Sequence, residues 1–99
     1  MSGNRTGLGQ DEAEKLAIEA LTFLAADQGR MAQFIAATGY GLAAIRAEAG
    51  SLQFLAAVLD FLMEDESLLL VFAAHTGCDP RKIGVAREVL RPSRAGADG

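Results

Sequence analysis

The chain has 99 residues, 51% apolar and 22% charged, with a formal net charge of −4. That length is one domain burying roughly 60–70% of its unfolded surface, and the balance excludes a disordered chain. Alanine and leucine dominate over sparse Val, Ile, Thr and Tyr, which excludes a sheet-based core, and the acidic charge disfavours bulk binding to phosphate backbones.

Residues 1–10 are polar and Gly-rich and read as a flexible N-terminal tail. The first helix is expected to start near Asp11. Asp11 is a capping residue, and Glu14 stands three residues later, as a capping box requires. Leu16, Ala20, Phe23 and Leu24 then recur at helical spacing. Asp27 and Asp65 each sit between two apolar runs, so each is read as the N-cap of the helix that follows, the second and the fifth. Both of those helices end at Thr-Gly, and Gly39 and Gly77 are read as their stops.

The third helix, about Leu42 to Ala49, lacks a good start signal and is expected to be short and weakly specified. Ser51 is the expected cap of the fourth helix, Leu52 to Met63, which is apolar on nearly every side. Such a helix belongs at the centre of a bundle, and its surplus apolar face needs a cover. Asp79-Pro80 starts the sixth helix, an N-cap followed by proline at the first helical position. That helix runs to about Leu90, with Ile83, Ala86, Val89 and Leu90 inward, and Pro92 closes it ahead of a flexible tail over 92–99.

The second half echoes the first. At an offset of 38 residues, Leu21, Phe23, Leu24, Asp27, Phe34, Ala36, Thr38, Gly39 and Ile45 fall on Leu59, Phe61, Leu62, Asp65, Phe72, Ala74, Thr76, Gly77 and Ile83. Nine identities in 25 ungapped positions mark a repeated supersecondary unit. The shared residues are core positions and helix punctuation. The units span 11–49 and 50–91, and the first and fourth helices are expected to pack together about a pseudo-twofold.

Reactive motifs are missing from the sequence. It has no nucleophile elbow, phosphate-binding glycine loop or paired-histidine metal motif, so no enzymatic activity and no cofactor are expected. His75, Cys78 and Asp79 make one short cluster where a structural zinc site needs four ligands, so no metal is expected either. Cys78 is the single cysteine and forms no intrachain disulfide, which points to a reducing compartment. No apolar leader opens the chain and no apolar run reaches the ~18 residues of a membrane span, so the expected location is the cytoplasm.

Charge is unevenly distributed. From Arg81 to Arg94 the chain carries five basic residues against Glu88, a net of +4 that leaves −8 for the rest. Arg81, Lys82, Arg87 and Arg91 are therefore the candidate partner-binding residues. The spacing of Ala73, Gly77 and Ile83 also fits a helix-turn-helix, which would turn Arg81, Lys82 and Arg87 toward DNA. Ile35, Gly39 and Ile45 show nearly the same spacing without basic residues, so the spacing belongs to the repeat. Glu64, Asp65 and Glu66 read as acids at a helix start, favourable to its dipole.

Four segments carry a family resemblance: Ala20 to Asp27, Phe34 to Gly39, Phe54 to Leu62 and Phe72 to Pro80. Over about residues 11–91 they resemble the DUF3572 family of small bacterial proteins, common in alphaproteobacteria. The resemblance implies a cytoplasmic bacterial origin and no particular activity.

The sequence therefore predicts an all-α, single-domain bundle of about six helices, built from two similar three-helix units. The function expected of it is that of a non-catalytic protein-interaction or regulatory adaptor, with a protein partner or a second copy of itself. The alternative is a nucleic-acid-associated regulator using the basic last helix.

Overall fold

Six helices follow one another along the chain in a computed structural model that describes residues 9–91: α1 (Gln10–Ala25), α2 (Gln28–Thr38), α3 (Leu42–Glu48), α4 (Leu52–Met63), α5 (Glu66–Thr76) and α6 (Pro80–Leu90). The described residues contain no strand. The two tails expected at the ends, and the closing role given to Pro92, lie outside the described residues except at Gly9 and Gln10, which begin α1.

Side-chain caps set most of the helix starts. The carboxylate of Asp27 accepts the backbone N–H of Arg30, that of Asp65 accepts Leu68, and that of Asp79 accepts Arg81. The Ser51 hydroxyl accepts the N–H of Phe54. Each bond satisfies an amide left free in a first helical turn. Gly39 and Gly77 end α2 and α5 at φ of 83° and 74°, a left-handed conformation that a side chain resists.

The start of α1 differs from the capping box expected at Asp11. Its N-cap is Gly9, with no side-chain bond, and Asp11 lies inside the first turn. The Nε2 of Gln10 donates to Glu14 at 2.9 Å, so Glu14 holds a side chain one turn back and not a cap amide. At the start of α3, Gly41 likewise offers no side-chain cap, and the helix is seven residues long.

The core is assembled chiefly from α1, α4 and α6, which pack against one another in all three pairs. Its fully buried side chains include Leu24, Phe34, Phe54, Leu59, Phe72, Ile83 and Leu90. α4 is the central helix: Phe54, Leu55, Ala56, Val58, Leu59 and Leu62 are all buried, and α1, α2, α5 and α6 surround it. The surplus apolar face expected there is accordingly covered by the chain itself. Of its large apolar residues only Leu52 and Met63, at its two ends, count as exposed.

The paired caps do not carry over into symmetric packing. α6 lies against both α1 and α4, whereas α3, at the corresponding place in the first unit, makes no contact of comparable extent and buries Ile45 alone.

Candidate functional site

The residues singled out for partner binding lie along α6, and the fold does not leave them equally free. Arg81 turns back on its own helix cap, with Nη2 3.0 Å from the Oδ2 of Asp79. The Arg81 side-chain hydrogen bond, followed by its backbone N–H, holds the Asp79 carboxyl below its ordinary 3.8, and the same contact raises the Arg81 guanidinium. Arg87 donates through Nε to Asp60 of α4, and its Nη1 reaches Glu88 at 3.4 Å. Arg91 lies 3.5 Å from the same glutamate. Lys82 is exposed and has no carboxylate within 4.0 Å among the described residues.

The outward face of α6 is therefore Lys82, Val85 and Glu88, with Arg81 and Arg91 at its two ends. It carries both signs of charge and includes an exposed valine. A phosphate backbone is better met by unpaired cations in a row.

The acidic joint has resolved into separate duties. Glu64 ends α4, Asp65 caps α5, and Glu66 lies in the first turn of α5. Asp60, one turn earlier, is committed to Arg87.

A second region has more of the character of a binding surface. The α1, α2 and α5 helices enclose an open cleft of about 650 Å³. Ile18, Thr22 and Phe23 line it from α1, Asp27 and Arg30 from the start of α2, and His75 and Thr76 from the end of α5. Phe23 is the floor. Its ring meets Phe72 at 5.2 Å and His75 at 5.3 Å, both tilted, and the Arg30 guanidinium stands 4.7 Å from its centroid. A cation over an aromatic face is attracted by the ring quadrupole. Ile18 and Val71, both near half exposed, place apolar surface beside this cluster.

In the sequence Phe23 reads as a core position and His75 as part of a short cluster with Cys78 and Asp79, and nothing there connects either to Arg30. Phe23 is indeed buried, with one edge on the cleft. The available signal was a difference at the 38-residue offset, where His75 falls on Ala37. A second hollow, of about 510 Å³, joins the first at Glu19 and Thr76 and continues past Lys15 to Cys78 and Lys82. Cys78 is half-buried there, with the Thr76 hydroxyl 3.3 Å from its sulfur. Among the described residues no cluster of three or more His, Cys, Asp or Glu has the arrangement of a metal site, and no helix is long and apolar enough to cross a membrane.

A family model described as "Protein of unknown function (DUF3572)" matches residues 10–93. No curated protein and no solved structure matches the chain.

Proposed function

The chain belongs to the DUF3572 family, and from that premise we propose that it is a non-catalytic protein-interaction or regulatory module of the bacterial cytoplasm. The observation that carries the reading is the Phe23 cleft with its exposed rim. An aromatic floor, a stacked arginine and partly exposed aliphatic side chains are the ingredients enriched where proteins meet. Of the large apolar residues more than 40% exposed, Ile18, Leu70 and Val71 lie on the two helices that border the cleft on either side. A lone cysteine, Cys78, is compatible with a reducing compartment.

On this reading the interaction surface is formed by α1 and α5, and not by α4, whose apolar face the other helices cover, or by the basic residues of α6. The nucleic-acid reading has less support. Two of the three cations it would turn toward DNA, Arg81 and Arg87, are already paired with carboxylates of the same chain, as is Arg91.

Sedimentation of the purified protein, with affinity capture from its host, tests the reading. Self-association or a reproducibly enriched partner is expected. Either is expected to be lost in Ile18→Glu with Val71→Glu and kept in the control Gln53→Glu. A strict monomer that enriches no partner overturns the proposal.

A further inference from the structure

We propose that α3, with its flanking residues from Tyr40 to Gly50, is a clasp that opens as a unit while the other five helices stay folded. It is the shortest helix, and helices below ~12–15 residues are marginal in water without tertiary support. Its support is slight. Ile45 is its one buried side chain, and Leu42, in its first turn, is the most exposed large apolar residue described. The sole aromatic anchor lies outside the helix, where Tyr40 meets Phe54 edge-on at 4.9 Å.

The start of α3 is also missing a feature that its counterpart has. At the 38-residue offset Gly41 falls on Asp79 and Leu42 on Pro80, so the capped, proline-started entry of α6 is replaced by one with no side-chain bond. Local opening follows from few buried apolar contacts and weakly tied ends, and segments of this kind open without global unfolding. Opening withdraws Tyr40 from the Phe54 ring, fully buried when the clasp is shut, and uncovers that edge while the Phe34 contact stays. The device is thus one that governs access to α4 at the edge of the core, and it stands independently of the Phe23 cleft.

Native-state hydrogen exchange tests this, in a series of low urea concentrations and under conditions where reclosing outruns exchange. The amides of Ile45 to Glu48 are expected to exchange at least about 100-fold faster than the slowest amides of α4 and α6, with little dependence on urea. Gly41→Asp supplies the missing cap. The backbone there is extended, and a Cβ meets no atom within 4 Å. This variant is expected to slow exchange in α3 by about fivefold. Exchange of α3 at the rate and urea slope of α4 overturns the proposal, as does a Gly41→Asp protein whose α3 amides exchange no more slowly.

Discussion

Arg87, in the last turn of α6, donates its Nε–H to the Oδ1 of Asp60 near the end of α4, bridging 27 positions of sequence. The two residues come from the basic segment and from the acidic stretch before α5, so the charge asymmetry of the chain is partly cancelled within the fold. The arginine side chain is 28% exposed and the aspartate 44%, so the pair is screened by water and its worth is modest. Asp60→Asn and Arg87→Met should each lower stability by about 0.5–1 kcal/mol. The double variant should lose less than the sum, and the coupling should shrink in about 1 M salt. Urea denaturation of the four proteins measures it. Full additivity would mean that the contact adds nothing in solution.

The same pairing bears on DNA. With Arg81, Arg87 and Arg91 engaged and a net charge of −4, the protein should not retard a DNA duplex in a mobility shift even at low salt. A retarded band that weakens with salt and vanishes in Arg81→Glu with Lys82→Glu would restore the nucleic-acid reading.

Gly77 ends α5 at a φ of 74°, and a Cβ built there meets nothing within 4 Å. The cost of a side chain is therefore backbone strain without steric clash. Gly77→Val should destabilise by about 1–2 kcal/mol, because a branched residue resists the left-handed region. In a domain this small each kcal/mol lowers the melting temperature by about 4–8 °C, well within reach of thermal unfolding by circular dichroism. An unchanged melting temperature would show that the helix end rearranges at no cost.

Gly77, like Asp27, Asp65, Ser51 and Asp79, was legible in the sequence because capping is local chemistry. The residue and the amides or carbonyls it serves lie within one turn. The start of α1 was misread for a related reason. Asp11 and Glu14 have capping-box spacing, but so do residues one step inside a helix that Gly9 begins. The packing of α1 on α4 was expected, but most of what helix packing sets lay beyond reach. The apolar surround of α4 announced a central helix but could not say that α1, α2, α5 and α6 would cover it so fully. Nor does any local pattern connect Arg87 to Asp60, or Arg30 and His75 to Phe23, since these meetings depend on how three or four helices cross.

Asp79 gives the fold a pH-dependent element. Its folded carboxyl lies below the ordinary 3.8 because Arg81 bonds to the ionised form. A depressed folded value means that the contribution is present above the unfolded value and is lost as pH falls through the folded one. The stability difference between the wild type and Asp79→Ala should therefore be constant near neutrality and should narrow below pH 3.8. Thermal unfolding of both proteins over an acid series tests this. A difference that persists unchanged at the lowest pH would assign the effect to packing and not to the carboxylate.

Among the five longer helices, α2 depends most on a single side chain. Phe34 is its one fully buried residue, while Met31 and Ile35 are only partly covered. Its ring is held by two edge-on contacts, at 5.9 Å to Phe54 and 5.4 Å to Phe61. Replacing it with alanine removes both contacts and leaves a ring-sized void against α4, so Phe34→Ala should cost roughly 3–5 kcal/mol. Phe34→Leu refills most of that volume but forfeits the edge-on geometry, and should cost under about 1.5 kcal/mol. Against the 5–15 kcal/mol typical of a domain, the first loss removes a large part of the total. Chemical denaturation of the two variants separates filling from geometry. If leucine proves as damaging as alanine, the aromatic contacts and not the volume of the side chain are what tie α2 to the core.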